Sequence, residues 1–258
     1  MKKSGLFSAI LIVVALIASA LIYFLVFGNP ANFKDPTKSS PANLLGSAYL
    51  GGVVLIALMT VSIMVITYAI ERGLSLGKAK GKGDVSVFLK NVQNTLREGD
   101  LEGAIAVCDK QKGSIANVIR QGLVAYQVAT VDKTLNEEQK LAEVRTAIEE
   151  AMGLELPLLN KNMSALATLA SISVLIGLFG TVTGMIKSFS ALATAGTPNA
   201  AELSAGISEA LFNTAFGLFG AVIGTIFYNF FLTMIGNLTY MMDEATYNIL
   251  AVLAIKKD

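Results

Sequence analysis

The 258-residue chain has no histidine, no tryptophan and a single cysteine, Cys108. The absence of histidine removes the commonest metal ligand and the usual general base at neutral pH. One cysteine excludes a disulfide within the chain. No nucleophile and base can be paired from the residues that remain. We therefore expect no catalytic residue, no metal site and no cofactor, and the sequence does not indicate an enzyme.

Charged residues are also scarce. They make up 15% of the chain, against 53% for hydrophobic residues, whereas soluble domains carry about 25% charged residues. The mean hydropathy is +0.61. The net charge is only +1 and the basic residues are spread along the chain, which argues against the basic patch of a nucleic-acid-binding protein. The composition indicates a protein embedded in a lipid membrane.

Four apolar runs are long enough to cross a membrane as an α-helix, which needs about 20 residues. They are residues 6–27, 49–70, 165–186 and 210–235, and none contains Asp, Glu, Lys or Arg. The first run also has features of a signal peptide, namely two preceding lysines and an Ala-Ser-Ala. Because seven apolar residues follow that tripeptide, we favour a retained helix or uncleaved signal anchor. The sequence predicts an all-α membrane protein with four transmembrane helices.

Basic residues predict the orientation of these helices. Lysines and arginines flank the segment between the second and third runs, whereas the loop at residues 190–208 has none. Basic loops favour the cytosol, so both termini are predicted to be cytosolic. The predicted order is transmembrane helix 1–28, outer loop 29–48, transmembrane helix 49–71, cytosolic helical domain 72–163, transmembrane helix 164–188, outer loop 189–208, transmembrane helix 209–236 and cytosolic C-terminal helix 237–258.

Helix periodicity continues through the predicted cytosolic domain. Residues 85–111 form two apolar-periodic stretches separated at Gly99, and Asp100 can cap the second helix. Cys108 is expected to be a buried residue of this helical hairpin. The linker at residues 77–83 is rich in Gly and Lys. It lacks the spacing of a phosphate-binding loop, and we interpret it as a basic juxtamembrane segment near anionic lipid.

Hydroxyl and small side chains interrupt the third and fourth apolar runs. At about 100° per residue, Thr214, Ala221 and Thr225 fall within about 20° of one line. The face that carries Thr181 is otherwise small: Ala170, Gly177, Gly184 and Ser188. Such residues serve either close helix packing or a hydrated path, and periodicity leaves both open. Since a hydroxyl holds no proton at neutral pH, a proton path would need a carboxylate from another chain.

Glycines are spaced for close helix packing in both runs. They are Gly177, Gly180 and Gly184 in the third run and Gly217, Gly220 and Gly224 in the fourth. Two charged residues, Lys187 and Glu209, stand at the outer ends of these runs. Lys187 is expected either to pair with Glu209 or Glu202, or to extend to the membrane interface.

Several stretches resemble the ExbB/TolQ/MotA family of bacterial inner-membrane proton-channel subunits. They are IGLFGTVTGMIKSF at 176–189, GISEALFNTAFGL at 206–218, Tyr228-Asn229 and, more weakly, Ile70-Glu71-Arg72. The sequence motif in the second stretch resembles ExbB or TolQ more than MotA, whereas four spans are typical of MotA relatives. We give the motif more weight than the number of spans, and we therefore interpret the first helix as an N-terminal addition.

The resemblance implies a homopentamer that encloses helices of an ExbD-like single-span partner, whose transmembrane Asp carries the proton, and a TonB-like effector. It makes the outer loops periplasmic. The site residues expected on this basis and from the helix faces are, for the channel lining, Thr181, Thr214, Thr225 and Ser188; for the periplasmic mouth, Glu209 and Lys187; and for the cytosolic flank, Glu71 and Arg72.

The sequence thus predicts an ExbB-like channel subunit that couples the proton motive force to outer-membrane transport. Two alternatives stay open. One is a TolQ- or MotA-like stator that drives envelope maintenance or motility. The other is a non-conducting membrane scaffold whose helices only pack.

Overall fold

The computed structural model describes residues 2–38, 40–194 and 200–255, and these residues are almost entirely helical. Within these ranges the α-helices are α1 (Lys2–Leu21), α2 (Leu44–Tyr49), α3 (Gly52–Ala79), α4 (Val85–Arg97), α5 (Leu101–Gln111), α6 (Ser114–Val131), α7 (Glu137–Leu159), α8 (Met163–Thr194) and α9 (Ala200–Ile255). A π-helical segment, Ile22–Phe27, extends α1, and a 3-10 turn follows at Pro30–Asn32.

Four stretches of helix are long and apolar enough to cross a membrane. They are Ala9–Phe27, Gly52–Ala79, Glu137–Ala193 and Glu202–Ile255. Among the residues that the structure describes there is no β-strand, only an isolated bridge between Phe33 and Pro41. The prediction of an all-α membrane protein with four spanning helices is confirmed.

The chain divides into two compact units. The first contains Met1–Ile70 and Ser164–Tyr228, and the second contains Glu71–Met163 and Asn229–Asp258. The first unit therefore contains most of the apolar residues of the four spanning helices, and the second contains α4 to α7. The division falls inside α3, α8 and α9, and α8 contributes only Met163 to the second unit.

In the first unit, polar contacts fasten the N-terminal helix to its neighbours. Tyr23 stacks on Tyr49 with 4.7 Å between ring centroids, and its hydroxyl donates to the Tyr49 carbonyl at 2.9 Å. The Asn32 amide donates to the Val26 carbonyl at 2.7 Å and the Phe27 carbonyl at 3.1 Å. The last carbonyls of a helix lack partners within it. Asn32 therefore satisfies two groups that the chain reversal would otherwise leave unpaired.

In the second unit, side-chain caps start the short helices. Asp84 accepts hydrogen bonds from the backbone N–H groups of Ser86 and Val87 and caps α4. Asp100 accepts from Gly103 N–H at 2.7 Å and caps α5, as predicted. Each such cap is worth about 1 kcal/mol. Cys108 is buried within α5, which confirms the second expectation for this hairpin.

The core of the second unit forms where α7 packs on α6. Val144 and Ile148 of α7 are fully buried. Gly122 of α6 makes room for them, because a Cβ atom at Gly122 would lie 2.5 Å from Cγ1 of Ile148. Burying a side chain of this size contributes about 1.5–3 kcal/mol. The buried face of α7 that carries Val144 and Ile148 thus holds this helix on α6.

A buried arginine joins the C-terminal part of α3 to the end of α7 within the second unit. Arg72 is 1% exposed, makes a two-bond ion pair with Glu71 at 2.5 and 2.7 Å, and donates to the Leu159 carbonyl at 3.4 Å. The Asn162 amide donates to the same carboxylate at 3.1 Å. A buried charge is tolerated only when it is paired. The residues predicted as the cytosolic flank thus hold together the turn between α7 and α8.

The packing of α7 on α6 predicts the effect of truncating Ile148. Ile148→Ala should lower the free energy of opening of this helical unit by about 2–5 kcal/mol through the lost burial and the cavity left behind. Reaction of the sole thiol, Cys108, with a maleimide should then become roughly 30-fold faster or more in the purified full-length chain.

Leu154→Ala is the matched control, because Leu154 lies on the same helix but is 74% exposed. Its labelling rate should stay within about twofold of the unmodified chain. Equal rates in the two variants would show that α5 opens without disturbing α7, contrary to this prediction.

Candidate functional site

Glycines let α8 and α9 approach until their backbones touch. A Cβ atom at Gly177 would lie 3.0 Å from the Gly217 Cα, and one at Gly217 would lie 2.7 Å from the Ser173 carbonyl oxygen. Towards the Lys187 end of α8, a Cβ atom at Gly184 would lie 2.8 Å from the Gly206 carbonyl oxygen. Without a Cβ these residues permit contacts that a larger residue would prevent.

The other three glycines predicted to pack also leave no room for a side chain. A Cβ atom at each would lie within 3.0 Å of a neighbouring side chain: Asn213 at Gly180, Ser173 at Gly220 and Ala170 at Gly224. Ser173 uses its hydroxyl here, because it is fully buried and donates to the Gly217 carbonyl at 2.9 Å. Small residues therefore line the contact between the two helices over several turns.

The close approach brings the hydroxyls of Thr181 on α8 and Thr214 on α9 into direct contact. Each hydroxyl also lies 3.2 Å from a carbonyl of its own helix, Gly177 for Thr181 and Ala210 for Thr214. Two hydroxyls carry two protons, yet these contacts offer three places for a hydrogen bond. The pair can therefore exchange donor and acceptor roles by rotation of its hydroxyls without moving the helices.

Asn213 is the buried polar residue whose role the sequence did not reveal. It is fully buried beside Gly180, and its amide nitrogen donates to the Gly51 carbonyl at 3.0 Å. Its Oδ1 accepts no hydrogen bond from any described residue. An unpaired buried acceptor of this kind costs about 1–3 kcal/mol. The sequence signal was an amide next to Thr214 in an apolar run. Asn213 does not lie on the line of Thr214 and Thr225, so the helix period gave no indication of its contact with Gly51.

Lys187 and Glu209 form an ion pair at one end of the α8–α9 contact, with the Lys187 ammonium 2.5 Å from the Glu209 Oε1. Lys187 is 61% exposed at its side chain, whereas Glu209 is buried. Of the two partners considered for Lys187, the structure therefore brings Glu209 to it. A cavity of about 310 Å³ beside the pair is also lined by Glu202 and Gly206, so a polar recess opens at this end.

The remaining predicted channel residues do not join the threonine pair. Ser188 is buried against Gly206, and its hydroxyl donates to the Leu203 carbonyl at 3.2 Å, so it serves the contact between α8 and α9. Thr225 is exposed on α9, about 16 Å of helix beyond Thr214. Their assignment to a channel lining stays a prediction.

The chemistry available at this site is that of hydroxyl, amide and one paired carboxylate. No cluster of three or more metal-ligating side chains occurs in the part of the chain that the structure describes. Cys108 lies outside this site, in α5 of the second unit, and burial raises the pKa of its thiol to about 12, so it stays protonated at neutral pH. The threonine pair can solvate a passing charge and relay hydrogen bonds, but it cannot itself store a proton.

Known proteins share this sequence pattern. The chain is 28% identical over 200 residues to a protein named putative biopolymer transport protein ExbB-like 3 from Synechocystis sp. The aligned residues cover 76% of this chain and 88% of that protein. It is 30% identical over 205 residues to biopolymer transport protein ExbB from Pseudomonas putida, and the aligned residues cover 78% of this chain and 59% of that protein. Over 117 residues it is 34% identical to Tol-Pal system protein TolQ from Pseudomonas aeruginosa, and the aligned residues cover 45% of this chain and 51% of that protein.

The family match begins near the end of α5 and includes α6, α7 and the threonine-bearing part of α8 and α9. Residues 110–244 match the MotA/TolQ/ExbB proton channel family, which is more than half of the 258 residues. This stretch contains α8 and the part of α9 up to residue 244, with Thr181 and Thr214. The resemblance inferred from the sequence is confirmed, and the chain belongs to the MotA/TolQ/ExbB proton channel family.

Proposed function

We propose that α8 and α9 form the wall of a proton path and that the Thr181–Thr214 pair is its central polar point. The contact between these two hydroxyls, on the two helices that carry the family wording, is the observation that supports this role. Close packing requires small groups but not hydroxyls. A pair of hydroxyls that can exchange hydrogen bonds offers a moving proton the solvation that an apolar helix lacks.

The proton carrier in this proposal comes from another protein. The apolar runs of α8 and α9 contain no Asp or Glu, and a carboxylate at mid-membrane is stable only beside a partner or water. We infer that five copies of this chain surround an ExbD-like single-span partner whose transmembrane Asp takes up and releases the proton. The polar recess at Lys187 and Glu209 then forms the periplasmic entrance.

The energy released by the proton would drive a TonB-like effector. Each charge that crosses the membrane supplies about 2.3 kcal/mol per 100 mV. In this arrangement the protein lies in the bacterial inner membrane with both termini and the helical unit α4–α7 in the cytosol. The similarity to biopolymer transport proteins named ExbB supports transport across the outer membrane as the work performed.

A stator of the Tol-Pal type is the second candidate, and the similarity to TolQ favours it over a flagellar stator. Both candidates require the same wall and the same proton carrier, so the Thr181–Thr214 pair cannot separate them. The partner can separate them, because a partner with a peptidoglycan-binding domain indicates envelope or stator work.

Removal of both hydroxyls tests the path. Thr181→Val with Thr214→Val preserves size and apolar packing but removes the hydrogen-bonding groups. Losing two such bonds, each worth about 1 kcal/mol, should reduce proton-driven outer-membrane uptake in the native host by at least about tenfold. The measurement is uptake of a labelled substrate, with the amount of assembled complex determined in parallel.

Thr67→Val with Thr233→Val is the matched control. Both hydroxyls donate to a carbonyl of their own helix, at 2.8 and 3.0 Å, as ordinary membrane threonines do. This double variant should keep its uptake. If the Thr181 and Thr214 double variant assembles and transports normally, the chain has no channel role of this kind and the scaffold alternative is favoured.

The composition of the intact complex tests the partner. Mass measurement of the complex purified from its host should give five times the 27.2 kDa of one chain plus the mass of a smaller single-span protein with one transmembrane Asp. Recovery of this chain alone, at any copy number and under conditions that preserve membrane complexes, would contradict the proposal of an external proton carrier.

A further inference from the structure

A cavity ringed by lysines lies at the end of α3, in the second unit. It has a volume of about 550 Å³ and is lined by Leu74 and Lys78 of α3, by Lys82 of the next linker and by Lys112 of the linker between α5 and α6. The three lysines are exposed. They come from two separate parts of the sequence, because only Lys78 and Lys82 belong to the basic segment noted at residues 77–83.

Two glycines bring these linkers together. A Cβ atom at Gly81 would clash with the Lys112 carbonyl oxygen, and one at Gly113 would lie 2.6 Å from the Ala79 carbonyl oxygen. Both glycines have positive φ angles, 81° and 88°. The backbone N–H of Lys82 donates to the Gln111 carbonyl at 2.7 Å. Tight backbone contact therefore holds Lys82 and Lys112 at the same cavity.

The backbone of Lys112 is strained. Its φ and ψ angles are 57° and 177°, close to a region that is essentially restricted to glycine. A glycine at this helix end would relieve the strain. Strained residues persist where the surrounding structure enforces them, and they cluster at functional sites. The backbone contacts of Gly81 and Gly113 with the neighbouring linkers therefore hold Lys112 in this conformation.

The lysines have no acidic partner in the part of the chain that the structure describes. Among the described residues, no carboxylate lies within 4.0 Å of the ammonium groups of Lys78, Lys82 or Lys112. Asp84, which follows Lys82 by two residues, uses its carboxylate to cap α4, and Asp109, which precedes Lys112 by three, pairs with Arg120. Three like charges around one cavity repel each other, so an anion bound among them would be stabilised.

The position along α3 indicates which anion. The apolar run of this helix ends near Ile70, and Lys78 lies eight residues further, about 12 Å along the helix. Leu74, between them, is 64% exposed. An apolar side chain followed by cations, just past a membrane span, matches a ligand with an acyl chain and a phosphate, because the lipid head groups lie directly outside the hydrocarbon core.

We propose that this cavity binds the head group of an anionic phospholipid. The ammonium groups of Lys78, Lys82 and Lys112 donate hydrogen bonds to the phosphate oxygens, and the acyl chains run along the Leu74 side of α3. This site goes beyond the proton path, because it lies in the second unit and uses none of the residues of the α8–α9 contact.

Competitive lipid binding tests the proposal. The full-length protein, purified in its native complex and stripped of lipid with detergent, is titrated with phosphatidylglycerol or phosphatidylcholine, and bound lipid is counted by native mass spectrometry. Phosphatidylglycerol should bind more tightly. Lys78→Gln with Lys112→Gln should weaken that binding about thirty-fold, since each lysine near a membrane surface contributes about a factor of five.

The matched control is Lys90→Gln with Lys133→Gln, which removes the same charge from two exposed lysines outside the cavity. Its affinity for phosphatidylglycerol should be unchanged. The labelling rate of Cys108 verifies that both variants keep the fold. An equal loss in the two double variants would overturn the proposal, because it would show a general charge effect.

Two further arms identify the source of the phosphate. Inorganic phosphate and the deacylated head group, glycerophosphoglycerol, should compete at least about tenfold more weakly than the lipid, because they gain nothing from apolar contact with Leu74. Equal competition would identify a site for soluble anions and contradict a lipid site. Loss of oligomer mass in the Lys78 and Lys112 double variant, with lipid binding unchanged, would identify an interface between copies of this chain instead.

Discussion

The backbone contact between α8 and α9 is the constraint on which the rest of the candidate site depends. At Gly177 and Gly217 the two helices meet without a side chain between them. A threonine side chain is short, so the hydroxyls of Thr181 and Thr214 can touch only because the helix axes are this close. In a membrane, where no hydrophobic force drives helices together, such packing is a principal source of helix association.

The same contact explains how polar groups are tolerated in an apolar pair of helices. Ser173 and Ser188 donate to carbonyls of the facing helix, and Asn213 donates to the Gly51 carbonyl. Each of these donors would be costly in hydrocarbon if it were unpaired. Glu209 is paired with Lys187 at one end of the helices. The Thr181–Thr214 pair differs from these groups, since its hydroxyls have alternative acceptors. Most of these polar groups therefore support helix packing, whereas the hydroxyls of Thr181 and Thr214 can change hydrogen-bond partners.

The second unit is stabilised in a different way, by caps, a buried apolar face and one buried ion pair. Asp84 and Asp100 start α4 and α5, and Ile148 fills the space left by Gly122. Arg72 is paired with Glu71 and buried in the C-terminal part of α3. Because this unit folds around its own core, it can carry a separate site, and the lysines around the cavity beside Leu74 belong to it alone.

Sequence reasoning predicted what depends on neighbours along the chain. The four spans, the all-α class, the Asp100 cap and the buried Cys108 follow from hydropathy, periodicity and capping, all of which act within one or two helical turns. The family could also be predicted from the sequence, because its motifs lie in contiguous stretches. The same reasoning placed Thr181 and Thr214 on candidate faces.

Tertiary structure alone decided which faces meet. A helix period assigns residues to a side of a helix but does not say what lies opposite, because helix rotation is set by packing with partners far away in sequence. The structure thus paired Thr181 with Thr214, turned Ser188 towards Leu203, left Thr225 exposed and buried Asn213. It also joined Lys112 to a basic segment thirty residues earlier, because Gly81 and Gly113 permit backbone contact that no local pattern encodes.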